Sequence, residues 1–390
     1  MRRLRSAAPA EARGMALAIT TMAACALPLF FTSALALAIQ RDLGLADEEI
    51  GLAIAAFWVL ATLGSLPGGW LVDRIGPARG VHLAGACVGA GSLAIAAFAD
   101  SFAAFAALLA LTGLGNAIIT PGMSAVVSRS LRAGRRGTTF GLQQSGPPLA
   151  SVVAGIALPT AGAVLGWRWV FALGAVAAVA ATGVVRDADA DAGSGSVDRA
   201  TAPARDRRPP SRLLVLGGTL ASGAANGLLA YLVVFAVAAG LSTTAAGILL
   251  AFASVTCVAT RIGLGVLADR RPRSRLPQMA GLALAGVAGF ALLAVEAPWA
   301  TVAGCTLALG IGWGWAGLYV LTAVEQARGA TGRAVGAAAT GTFAGAMIGP
   351  PLVGLLAAEA SFALAWLVCA GLLLVAAWAF LGARRLRPGT

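Results

Sequence analysis

Twelve apolar runs, each about long enough to cross a bilayer and each ended by a short polar break, govern what this chain can fold into. They fall at about 15–39, 48–72, 80–99, 102–128, 138–163 and 168–185, and again at about 213–239, 244–268, 277–295, 299–324, 334–357 and 361–382. Between the two sets lies 186–212, a hydrophilic stretch with five Asp, six Arg and three Pro. Helices carry such runs through lipid because each satisfies its own backbone hydrogen bonds. The chain is 59% hydrophobic and 11% charged, too apolar for a water-soluble globule. The expected fold is all-α and integral to the membrane, with twelve transmembrane helices in two six-helix bundles. The expected units are a tail at 1–14, a bundle at 15–185, a linker at 186–212, a bundle at 213–382 and a tail at 383–390. The first run is about 25 residues, longer than a signal-peptide core of about 7–15, so it is expected to remain as span one.

The charge pattern orients these spans. All 28 basic residues are Arg, and 25 of them lie in the N-terminal tail, at 73–79, 129–136, 186–212, 269–275 and 328–333, and in the C-terminal tail. The alternate loops hold only Arg41 and Arg168, beside Asp42, Asp47, Glu48, Glu49, Asp100, Glu296 and Glu359. Basic residues resist translocation, so both termini and the linker are expected in the cytoplasm and the chain in the cell membrane as a multi-pass protein. The net charge of +12 is loop charge, with no folded basic domain to receive nucleic acid. Without Lys there is no phosphate-binding loop of the Gly-Lys-Ser/Thr type, which excludes ATP-driven pumping. One His and five Cys scattered through apolar runs supply neither a catalytic triad nor a metal cluster, so no enzyme, metal or cofactor is expected.

A repeat ties the halves together. Gly69, Leu71, Asp73, Arg74 and Arg79 recur 196 positions later as Gly265, Leu267, Asp269, Arg270 and Arg275, and the same offset pairs Gly51 with Gly247. A repeat of half the chain means two copies of one unit, hence two pseudo-symmetric bundles.

The stretch Gly69-x-x-x-Asp73-Arg74-x-Gly76-x-x-Arg79 between spans two and three resembles the loop signature of the major facilitator superfamily, and 265–275 resembles its degraded second copy. The Gly166 to Phe171 stretch and the Gly-Pro-Pro of span eleven fit the same family. The resemblance implies two bundles around a cavity that opens alternately to each side, lined most closely by spans one, four, seven and ten. It implies a gate in which Asp73, Arg74 and Arg79, with Asp269, Arg270 and Arg275, hold the cytoplasmic side shut. Physically, a carboxylate at such a place can face the positive N-terminal end of a helix from the other bundle, worth about 0.3 to 2 kcal/mol. Pseudo-symmetry then sets Asp73 against the start of span eleven near Arg333, and Asp269 against the start of span five near Gly137. The competing reading is that these are solvated loop charges which only fix topology.

Arg261 is the most informative residue for a substrate. It lies eight positions before Asp269, hence about 12 Å deeper along a helix, with no acidic residue mid-span to pair with it. Such a charge costs at least about 2.5 to 3.5 kcal/mol to insert and faces a watery cavity or a partner. An anionic ligand is one such partner; snorkelling toward the loop motif is the alternative. Thr260 to Gly265 resembles span eight of monocarboxylate and oxalate:formate porters, where an Arg similarly placed holds a carboxylate. The second basic residue of the latter is missing, since 334–357 has no charge. Asn116, Thr120 and Ser124 on span four, and Thr219, Ser222 and Asn226 on span seven, form polar stripes that line the path or bond helices together. Trp315 with Tyr319 on span ten, and Gln143 with Gln144 entering span five, complete the candidates.

The chain thus reads as a secondary active or facilitative transporter of a small solute, leaning to a monocarboxylate-like organic anion. Its expected partners are that small molecule, optionally a co-transported ion, and the lipid bilayer. Two other readings stay open: efflux of drugs or metabolites on the same fold, and a sensor on a transporter scaffold.

Overall fold

A computed structural model of the chain describes residues 2–130, 136–186, 210–270, 275–326 and 331–385, and among these only helices and the turns joining them occur. Most of the expected linker lies outside the described residues, as do the loop residues 131–135, 271–274, 327–330 and 386–390 and the side chains of Asp73, Ser124 and Arg333.

Span one is Arg2–Ala34, continued by Ala36–Leu43; spans two, three and four are Asp47–Ile75, Pro77–Phe98 and Phe102–Ser130. Span six is Trp167–Gly183, span seven Arg212–Ala238, span eight Thr243–Arg270 and span nine Leu276–Leu293. Spans eleven and twelve are Thr331–Glu359 and Phe362–Arg385. Eleven of the helical segments are long and apolar enough to cross a membrane, and the twelfth, span six, is apolar but only 17 residues. Helix also runs back through the expected tail to Arg2, because Ala, Leu, Arg and Glu there are good helix formers.

Two spans expected to be continuous are interrupted. Span five consists of Arg136–Gln143, Gly146–Ala157, a wide π turn at Leu158–Gly162, and Ala163–Leu165. Span ten consists of Pro298–Cys305, a π stretch at Thr306–Ile311, a tight 3-10 turn at Gly312–Trp315, and Ala316–Gln326. Prolines 147, 148 and 159 explain the first, since each removes a backbone donor. The glycine-rich stretch of span ten permits the second.

Large apolar side chains such as Phe98, Val164, Val176, Trp299 and Trp378 stand 64–82% exposed on the outside, as lipid-facing residues do. Inside, lipid provides no hydrophobic drive for helix association, so backbones approach through small residues. Span eleven closes on span seven where Gly341, Gly345 and Gly349 meet Thr219 and Gly223. In the first half Gly113 and Gly64 let span four meet span two, and Gly115 lets it meet span three.

Two turns require glycine outright. Gly76 (φ +91°) joins span two to span three, with Pro77 as the first helical residue, and Gly166 (φ +86°) joins span five to span six. Just beyond Gly166, Arg168 donates to Asp42 at 3.2 Å and to the Ala99 carbonyl at 2.8 Å, while the Trp167 indole also donates to Asp42. Phe31, Phe105, Trp167 and Phe171 pack edge to face behind them. The arginine-poor end of the first half is therefore fastened by the Gly-Trp-Arg-Trp-Val-Phe stretch.

Candidate functional site

The two halves meet along span two with span eleven, and span five with span eight. The five–eight seam carries the polar chemistry. Its construction begins with Pro147 and Pro148, whose missing N–H groups leave the carbonyls of Gln143 and Gln144 without their helical donors. The helix breaks there, between Gln143 and Gly146.

Arg261 meets that break. It is 2% exposed, and its Nη1 donates to the Gln144 carbonyl of the other half. Nη2 and Nε donate to the Trp313 carbonyl at 3.0 and 3.4 Å, and the guanidinium lies 4.4 Å above the Trp313 ring. Trp313 sits in the 3-10 turn of span ten, so that irregular turn aims both a carbonyl and an aromatic face at Arg261. Arg261 therefore does not snorkel toward the loop. Among the described residues no carboxylate pairs with it.

Glycines make the convergence of spans five, eight and ten possible. Gly141 lies against the backbone of Arg261, Gly265 against Gly137, and Gly317 against Gly141, so any added Cβ would strike backbone. One step further toward the arginine-rich end, Asp269 reaches the part-buried start of span five. Its carboxylate accepts from the Gly137 N–H at 2.7 Å, the Thr138 N–H at 2.8 Å and the Thr138 hydroxyl at 2.6 Å. Unsatisfied donors and the positive helix end make this a natural carboxylate position.

The opposite end has its own cross-half contacts. The Gly51 N–H of span two donates to the Tyr231 hydroxyl of span seven at 3.1 Å, and Gly51 also abuts Pro350 of span eleven. Gly247, its repeat partner, abuts Gly155 of span five. The repeat-related pair thus occupies equivalent close approaches. Between the two ends, Trp58 of span two packs on Phe343 of span eleven, with ring centroids 5.3 Å apart.

The other candidates fall in varied places. Asn116 and Thr120 are half-buried on span four, with the Thr120 hydroxyl donating to the Asn116 carbonyl. Gln143 is 8% exposed beside the break. Asn226 donates to Ser222, whose hydroxyl donates to the Thr342 carbonyl of span eleven, so this stripe bonds helices within one half. Trp315 and Tyr319 are buried, packed edge to face on each other. Tyr319 donates to the Ala338 carbonyl and Trp315 approaches Phe380 of span twelve, so both make their contacts within the second half. Arg275 pairs with Glu325 inside the second half rather than across the seam. Arg74 lies 3.8 Å over the Trp70 ring of its own helix, and Arg79 and Arg270 are exposed. Trp313, Thr138, Tyr231 and the Gln144 carbonyl join the site without having stood out in the sequence. Pro148 was the available signal for the last.

Two helical halves meeting along paired helices, tied at both ends of their seams, define a twelve-helix membrane protein of two-fold design. A family model for the Major Facilitator Superfamily matches residues 14–340, and the chain belongs to that superfamily. One curated relative, the probable galactarate/D-glucarate transporter GudP of Escherichia coli K12, is 30% identical over 137 residues, covering 34% of this chain and 30% of its own. Another, a di-/tripeptide transporter of Lactococcus lactis, is 27% identical over 154 residues, covering 39% and 31%. The chain therefore aligns with about a third of the length of the curated relatives it matches. Over the whole chain, a solved bacterial homolog of the human lysosomal transporter Spinster, in an inward-facing and occupied conformation, superposes with a TM-score of 0.70 at 16% identity, covering 97% of this chain and 98% of that one.

Proposed function

We propose that this protein carries a small organic anion across the cell membrane by alternating access, as a secondary active or facilitative transporter. The observation that carries the proposal is Arg261: a buried guanidinium at the seam, held by two carbonyls and an indole face, with no carboxylate to balance it among the described residues. Carbonyls and a ring orient a cation but leave its charge uncompensated, and a carboxylate completes it. A galactarate/D-glucarate transporter among the relatives supports an acidic cargo. A single deep arginine fits one carboxylate better than two.

The arginine-rich end is taken as cytoplasmic from the charge pattern. Asp269 on the start of span five closes that end, and Tyr231 on Gly51 closes the other. Half-buried Asn116 and Thr120, with Gln143 beside the break, are assigned to the path. With no Asp or Glu mid-span, a coupling proton would ride on the substrate's own carboxylate.

The test is uptake into proteoliposomes of a carboxylate panel, comparing the unaltered protein with Arg261→Gln. Uptake of at least one monocarboxylate that the variant loses supports the proposal. Equal uptake by both removes its basis.

A further inference from the structure

We propose that Arg261 and the Gln144 carbonyl form an exchangeable tie between the halves, opened when the substrate's carboxylate takes that carbonyl's place on the guanidinium. This rests on the organic-anion reading above and assigns to Pro148 the role of keeping the tie available.

In an α-helix the carbonyl of residue i accepts from the N–H of residue i+4, so Gln144 would be served by residue 148. Residue 148 is proline, which has no N–H. The Gln144 carbonyl stays open at a buried seam, and Arg261 reaches from the second half to fill it. Of the groups around the guanidinium, the Trp313 carbonyl and ring belong to the same half as Arg261. They travel with it when the halves part; the Gln144 bond does not.

A carboxylate is a stronger partner for guanidinium than a neutral carbonyl, because it brings a full charge and can accept two parallel bonds. An anion that displaces Gln144 therefore removes a cross-half bond while leaving Arg261 anchored on Trp313. A ligand shifts a conformational equilibrium only through its differential affinity for the two states. Here that difference has a source: the closed seam occupies Nη1 with Gln144, and the parted seam frees it. Gly141 and Gly265 bring the backbones close enough for a single side chain to act as the tie.

The experiment measures the distance between halves by spin labels at Gly183→Cys and Gly281→Cys, in a background with the five native cysteines replaced by Ala and the full chain in liposomes. Both glycines have open space for an added side chain, and they sit at the last turn of span six and the first turns of span nine. Gluconate is the probe. Pro148→Ala gives Gln144 a helical donor and is expected to raise the long-distance fraction about two- to tenfold without gluconate, the worth of one hydrogen bond. Pro147→Ala, which serves the Gln143 carbonyl instead, is expected to shift the distribution much less than Pro148→Ala does. The parent protein should shift on adding gluconate, while Arg261→Gln should be shifted already and ignore it. A Pro148→Ala distribution identical to the parent, or a Pro147→Ala shift as large, overturns the tie even where gluconate binds. A Pro148→Ala shift with a parent indifferent to every carboxylate it is offered overturns the exchange and places the fault in the anion reading.

Discussion

The Asp269 carboxylate of span eight accepts both the Gly137 and Thr138 N–H groups of span five, at 2.7 and 2.8 Å, and so joins the two halves at their arginine-rich end. Hydrogen bonds to a charged group are worth about 1.5–3 kcal/mol. Asp269→Ala should therefore raise the ratio of open to closed forms at that end by about 10- to 100-fold. Cys257, fully buried one turn from Arg261 on span eight, is a native reporter. In a protein retaining only that cysteine, maleimide labelling should quicken in Asp269→Ala; an unchanged rate would count against the closure.

Gly51 is expected to tolerate no side chain. An added Cβ would strike the Tyr231 hydroxyl and the Pro350 carbonyl together. Gly51→Ala should hold the arginine-poor end apart and abolish net uptake while the protein still reaches the membrane. Tyr231→Phe removes the hydroxyl that accepts from Gly51 without adding bulk, and should cost about 0.5–1.5 kcal/mol, slowing uptake severalfold at most. Uptake assays on both variants, with surface expression as the control, check the difference.

Trp313→Leu should loosen Arg261 without removing its charge. The cation–π contact is worth about 0.5–2 kcal/mol, so the half-saturating concentration for an anionic substrate should rise about 2- to 30-fold. Trp315→Leu should leave that concentration unchanged and lower thermal stability instead, since Trp315 packs on Tyr319 and Phe380. Concentration series of uptake, paired with melting curves in detergent, separate the two tryptophans.

Arg168→Ala should destabilise the first half by about 0.5–1.5 kcal/mol, because it removes this donor from Asp42 and two carbonyls at a partly exposed corner. The expected signature is a lower melting temperature with the preference among substrates unaltered. A change in preference would show that this corner reaches the transport path.

The spans were legible because lipid demands uninterrupted apolar length. The placement of Asp269 at Gly137 follows from a repeat of fixed offset, since two-fold related copies must present the same residue to the same neighbour. Rotation about a helix axis was not legible. Trp313 and Trp315 are two apart and point to different sides, and the four-residue spacing of Trp315 and Tyr319 drew attention to the pair that packs inward. The 3-10 turn that swings Trp313 onto Arg261 has no sharp sequence signal, as its glycines permit many geometries. The Gln144 carbonyl was readable from Pro148, though only as an open acceptor; which donor fills it depends on how the halves dock.

Arg261 is proposed to hold the substrate by its charge. This is tested most directly by equilibrium binding of gluconate and of its uncharged amide to the purified protein and to Arg261→Gln. The carboxylate should bind the unaltered protein at least about tenfold more tightly than the amide, one charge-assisted pair, and this preference should vanish in the variant. Binding of gluconate with undiminished affinity by Arg261→Gln would contradict it.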